Sequence, residues 1–214
     1  MFTPEELTPP TSSAIIHDII ALQEAGQATF AYFYFDFRDI DKQNLRNALS
    51  SLLTQLSTQS DSYCNILTHV HQAHNDDVDK PSTETMVTCL KEMLALPGQG
   101  PVYIILDALD ECPDTYGIPS SREDVLDFLK DLVGAQLSDL RICVTSRLEI
   151  DIQTAIEPLA FRQLSIHEQK GQKKDIEDYI RSTVYARSDM AIRRWREKDK
   201  ELVIYTLSEK ADGM

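Results

Sequence analysis

Three carboxylates crowd the end of one apolar run. In "PVYIILDALDEC" (101–112), Val102 to Leu106 lead straight into Asp107, and Asp110 and Glu111 follow within four positions. Carboxylates repel one another and resist burial, so such a cluster calls for something that offsets its charge. Mg²⁺ does so when one or two carboxylates hold it together with phosphate oxygens. A second run, "LRICVTSR" (140–147), ends in Thr145, Ser146 and Arg147. A guanidinium suits a terminal phosphate. Side by side, the two run-ends would offer acid groups and a cation to one crevice. Taken alone, "DALDE" also reads as a solvated loop, and Arg147 as a surface arginine paired with a nearby carboxylate.

The elements that must position these residues alternate between helix and strand. Residues 12–25 place Ile15, Ile16, Ile19 and Ile20 on one helical face, with Thr11 or Ser12 to cap it and Gly26 to end it. Residues 29–37 are aromatic-rich and too short for a helix, which predicts a strand. The helical period returns from Lys42 with Leu45, Ala48, Leu49, Leu52, Leu53 and Leu56. Further helices are predicted around 61–74 and from Ser82 to Leu96, before a turn at 97–101. The strand 102–107 and an open loop at 112–119 follow. Ser120 and Glu123 then form a capping box ahead of Val125, Leu126, Leu129, Leu132 and Val133. Strands are predicted at 140–147 and 161–166, and helix beyond Lys174. Strands separated by such helices make a three-layer α/β fold, a parallel sheet flanked by helices. Ligands of such sheets sit outside the carboxyl ends of the strands, which is where both chemistry-bearing run-ends fall.

Charge and cysteine usage narrow the function classes. The formal net charge is −14 and the isoelectric point about 4.7, so the surface repels phosphate backbones and argues against nucleic-acid binding. Cys64, Cys89, Cys112 and Cys143 contain no CxxC pair, against both a zinc site and a secreted disulfide framework. No apolar run approaches the ~18 residues of a membrane helix, and no signal peptide is visible. The expectation is a cytoplasmic protein with no membrane contact. His69, His71 and His74 read as solvated, and Cys143 as a small core residue. Cys112 lacks a base partner, and "RRWREKDK" (193–200) reads as an exposed helical face.

"VYIILDALDEC" resembles the Walker B segment of the NACHT-type signalling (STAND) ATPases, and "LRICVTSR" resembles their sensor strand. The layout from about residue 12 to 214 is similar to the nephrocystin-3-like N-terminal domain of fungal NACHT proteins. "FAYFYFDFRD", "LRNALSSLLTQL", "KKDIEDYI" and "EKADGM" add to the likeness. The resemblance implies a P-loop NTPase fold that binds ATP or GTP with Mg²⁺. By the family's pattern Asp107 would hold the metal through water. Asp110 and Glu111 would orient the attacking water as catalytic residues. Thr145 and Arg147 would occupy the sensor positions that face the nucleotide.

One motif of that family has no counterpart. Its Walker A segment, G-x-x-x-x-G-K-[ST], cradles phosphates on backbone N–H groups and reaches them with a lysine. No Gly-Lys pair exists in this chain, and "MFTPEELTPP" brings prolines and glutamates ahead of the first helix. The chain therefore reads as an NTPase domain clipped at both ends, or as a gene model with a displaced start. Residues 1–11 are expected to be irregular, 12–168 a truncated NTPase-like domain without its first strand and P-loop, and 169–214 the start of a helical subdomain. The sheet should hold three adjacent strands, with the inner edge of 140–146 unpaired and 161–166 detached or paired differently. Function is expected to be that of a signalling switch by ancestry, with no nucleotide bound by this chain. The alternative is a non-catalytic interaction module, with protein partners or self-association in either case. Without a metal the three carboxylates are expected only to repel one another, so that neutralising Asp107 or Glu111 would cost no stability.

Overall fold

The computed structural model describes residues 10–74, 81–114, 120–163, 172–185 and 192–210. The chain divides after Ala160 into two compact units. The first unit runs α1 (Pro10–Glu24), β1 (Thr29–Tyr34), α2 (Leu45–Ser57), α3 (Asp61–His74), α4 (Thr83–Leu94), β2 (Val102–Asp107), α5 (Ser121–Gly134), β3 (Leu140–Val144) and α6 (Ile150–Ile156). Its sheet is parallel, in the order β1-β2-β3, with Thr29 opposite Val102 and Val102 opposite Leu140. This is the α/β class that the sequence predicts, with helices on both faces of a three-stranded parallel sheet.

Alternation along the strands sorts the core. Ala31, Phe33, Val102, Ile104 and Leu106 face α2, α4 and α5, where they meet Leu49, Leu52, Leu56, Leu90, Met93 and Leu129 in the larger core. Phe30 and Ile105 face the other way and meet Ile16 and Ile19 of α1, with Tyr32, Tyr103 and Cys143 packed around them. Each fully buried leucine of α2 stabilises the unit by about 1.5–3 kcal/mol, so this helix carries much of the fold. It starts at Leu45 rather than Lys42 because Asn44 caps it, accepting the Asn47 N–H at 2.9 Å. Residues 40–42 form a separate 3₁₀ turn.

The first strand is shorter than the predicted 29–37. The Asp36 carboxylate accepts both the Arg38 N–H and its guanidinium, each at 2.9 Å, and this local turn ends extension at Tyr34. The capping box at Ser120 and Glu123 is present. α6 was not expected: seven residues are too few for a helical period to show in sequence. Residues 161–163 are not strand, and the rest of the predicted 161–166 strand lies outside the described residues. So do residues 1–9 of the segment expected to be irregular, and most of the loop at 112–119.

The second unit contains α7 (Gln172–Val184) and α8 (Glu197–Lys210). Val184 and Ile204 are buried. Arg181 donates to Glu201 at 2.9 Å, and the Tyr185 hydroxyl donates to Glu197 at 2.6 Å.

Candidate functional site

The carboxyl ends of β2 and β3 do meet. β2 stops at Asp107 because Ala108 adopts the left-handed conformation (φ 54°, ψ 48°) and a 3₁₀ turn over Leu109–Glu111 follows. The Leu109 N–H donates to the Thr145 carbonyl at 2.9 Å. The Ala108 N–H donates to Thr145 Oγ1 at 3.0 Å, and that hydroxyl donates to Asp107 Oδ1. Asp107 is only 3% exposed.

The three acidic residues are held by three different donors. Asp110 Oδ1 accepts the Arg147 N–H at 2.9 Å, and Arg147 Nε stands 3.5 Å from Asp110 Oδ2. Glu111 Oε2 accepts the Phe37 N–H at 3.2 Å. The expectation that these carboxylates merely repel one another fails for that reason: each is a joint between β2 and a neighbouring segment. The charges crowd Tyr34 at the end of β1, where burial and then the Glu111 carboxylate push the phenol's pKa up. Asp36 lies at the same end, and the Arg38 hydrogen bonds hold its carboxyl down to about 2.

Arg122 is the residue that the sequence reading missed. Its buried guanidinium donates to the Cys112 carbonyl at 2.9 Å, the Asp110 carbonyl at 2.7 Å and Asp151 Oδ2 at 3.0 Å. It fixes the turn after β2 onto α5 and α6. Burial pushes the Asp151 carboxyl up, but the hydrogen bonds and charge of Arg122 outweigh that and leave its pKa below the ordinary value. A signal was present: a cation in the first turn of a helix opposes the macrodipole, so Arg122 beside the capping Ser120 needed a partner of its own. Cys112, the residue beside the cluster, donates its thiol to the Gln43 carbonyl at 3.3 Å. Burial pushes that thiol up to about 12, so it is no nucleophile.

A shallow cavity of about 270 Å³ opens here, lined by Phe37, Asp110, Glu111, Cys112, Arg122 and Arg147 among others. The five expected site residues thus lie close together. Asp110, Glu111 and Arg147 line the cavity, whereas Asp107 and Thr145 are tied to each other behind it.

A family model described as "Nephrocystin 3, N-terminal" matches residues 11–147, from the start of α1 to the arginine that closes this site. The chain belongs to the nephrocystin 3 N-terminal family. No match is found among curated proteins. The match spans α1 to β3, so the acidic turn after β2 and the Thr145 and Arg147 that meet it are all within the part shared with the nephrocystin 3 N-terminal family.

Three features of the described residues bear on a triphosphate with its magnesium. No group of three or more acidic, histidine or cysteine side chains among them converges as a metal site. The N–H groups of Ala108 and Leu109, at the carboxyl end of β2, are given to Thr145. Gly26, Gly98 and Gly100, with positive φ, flank the opposite, amino-terminal ends of β1 and β2. They form no cradle beside Asp107.

Proposed function

We infer that this chain is an NTPase-derived signalling domain which, as it stands, works as a protein-binding module and neither holds nor hydrolyses ATP or GTP. The observation that carries this reading is the wiring of the acidic turn. Thr145 takes Asp107, Arg147 takes Asp110, and the Phe37 N–H takes Glu111. The residues that would handle metal and water instead lock β2 to its neighbours. A cytoplasmic setting agrees with the described residues, among which no helix is long and apolar enough to cross a membrane. Titration of the purified chain with fluorescent ATP and GTP in excess Mg²⁺ tests the reading. The expected dissociation constant is weaker than about 1 mM, less than ~4 kcal/mol of binding. Low-micromolar binding, or turnover that Glu111→Gln abolishes, would overturn it.

One observation favours a second reading, a nucleotide-dependent switch completed by a phosphate-binding segment that this sequence lacks. The Arg147 side chain is 82% exposed at the mouth of the cavity, a cation at the carboxyl ends of a parallel sheet. Under that reading, nucleotide would bind once such a segment is supplied, and Arg147→Ala would weaken it.

A further inference from the structure

The two edges of the sheet are finished differently. On β1, the outward-facing backbone groups of Phe30 and Tyr32 are taken by glutamine amides. Gln59 accepts the Phe30 N–H at 3.1 Å and donates to the Phe30 carbonyl at 2.6 Å. Gln55 does the same for Tyr32 at 3.0 and 2.7 Å. The two glutamines are four residues apart on and just past α2, and each amide imitates one residue of a neighbouring strand. The β1 edge is therefore covered at Phe30 and Tyr32.

The β3 edge is unpaired among the described residues. Odd-numbered residues face β2, as the Thr145 N–H to the Leu106 carbonyl and the Val102 N–H to the Asp139 carbonyl show. Even-numbered residues face outward. The Leu140 N–H goes to the Leu137 carbonyl, and its own carbonyl accepts the Arg141 guanidinium. Ile142 and Val144 present their N–H and C=O groups to an edge that no strand among the described residues pairs. Such an edge is a template for strand addition.

We propose that two copies of this chain pair through β3, antiparallel across a two-fold axis, to form one continuous six-stranded sheet. With the axis at Cys143, Ile142 of one copy exchanges both backbone hydrogen bonds with Val144 of the other, and the reverse, so the four outward groups on each copy are all used. Carried past the ends of β3, the same register brings exposed Asp139 of one copy towards Arg147 of the other at both ends, where the Arg147 guanidinium, beside Asp110 of its own copy, is still largely exposed. Registers centred on Val144 would instead oppose Arg141 to Arg147 and Asp139 to Glu149. Because Gln55 and Gln59 occupy the Phe30 and Tyr32 groups of the β1 edges at the outside of the six strands, addition ends at two copies. The pairing is self-complementary and closed rather than a growing fibre. The proposal rests on the binding-module reading for its setting alone: nucleotide titration can overturn that reading without changing the oligomeric state.

The register has a chemical signature. The two Cys143 residues fall in a non-hydrogen-bonded pair, about 4.5 Å apart at Cα, within the span a disulfide bridges. The test uses the full chain carrying Cys64→Ser, which removes an exposed thiol. Sedimentation at ~0.15 M salt and above is the first readout, since the −14 charge opposes association at low ionic strength. Diamide is then added to accept the two thiol hydrogens as the S–S bond forms, and the linkage is mapped by mass spectrometry. The expected result is a dimer with a Cys143–Cys143 bond. Val144→Pro, which removes an outward N–H without touching the β2–β3 ladder, should raise the dimer dissociation constant at least tenfold while circular dichroism stays unchanged. A monomer, assemblies larger than two, a dimer linked elsewhere than Cys143, or a folded Val144→Pro chain that still dimerises would each overturn the proposal. Should Val144→Pro fail to fold, the Cys143 linkage on the otherwise unaltered chain decides.

Discussion

Replacing Thr145 by valine separates the structural reading of the acidic turn from the metal-site reading. Valine keeps the shape and the β-branch, so no cavity opens. What disappears is one hydroxyl that accepts the Ala108 N–H at 3.0 Å and donates to Asp107. A hydrogen bond to a charged group contributes about 1.5–3 kcal/mol, and a donor left unsatisfied costs about 1–3 kcal/mol. Thr145 is half-buried, and water can replace part of what is lost, so the bottom of that sum applies: about 2–3 kcal/mol. For a chain of this length the melting temperature should fall by roughly 4–12 °C. The single tryptophan, Trp195, lies in the second unit and would report the wrong event. Far-UV circular dichroism and amide exchange along β2 and β3 are the assays. The loss should be the same with and without Mg²⁺. Parent-like exchange at Ala108 and Leu109 in the valine variant would refute the reasoning, as would a loss that Mg²⁺ reverses.

Three further outcomes follow from the geometry. The Asp36 pKa is depressed to about 2 by Arg38, so its stabilisation is complete above the unfolded value near 4 and is lost as pH falls through about 2; the gap in melting temperature between parent and Asp36→Asn should close over that window. Replacing Gln55 and Gln59 together with alanine removes four hydrogen bonds from the β1 edge, a loss of about 2–6 kcal/mol, and should speed amide exchange at Phe30 and Tyr32 while letting assemblies grow beyond a dimer. At pH 8 a disulfide reagent should modify exposed Cys64 quickly and leave Cys112 and Cys89 unreacted until the fold opens, since burial raises their thiols to about 12 and about 11.

Apart from α6, the helices and strands of the first unit were legible because each buries a stripe whose period survives in the sequence. Leu45, Ala48, Leu49, Leu52, Leu53 and Leu56 announce α2, and the unbroken apolar run of 102–106 announces a central parallel strand. The convergence of Asp107 with Thr145 was legible too, because parallel strands of one sheet deliver their carboxyl ends to the same side. What was not legible is which donor each carboxylate takes. That depends on φ at a single residue, Ala108, and on N–H groups of Phe37 and Arg147 that no residue type advertises. Gln55 and Gln59 were hidden for a similar reason: polar residues on the flank of an amphipathic helix look solvated unless a strand edge is known to pass beneath them.

The same residue types can serve a phosphate–metal site or a structural clasp, and the balance between the two is set by competition for Asp107 and Asp110. A cation at Asp107 would have to outbid a hydroxyl that also secures Ala108, and a phosphate at Arg147 would have to draw on a guanidinium already beside Asp110. Either event loosens the joint between β2 and β3. Ligand at the acidic turn and integrity of β3 are therefore linked: whatever binds there more tightly in one arrangement must favour that arrangement by the same free energy. Since β3 is also the strand whose outer edge is unpaired among the described residues, strand pairing at Ile142 and Val144 should oppose any ligand that unseats Thr145. Amide exchange at Thr145, measured on the dimer and on the Val144→Pro chain, would expose that coupling. Slower exchange in the dimer is the expected sign, and equal rates in the two would show that the edge and the turn act independently.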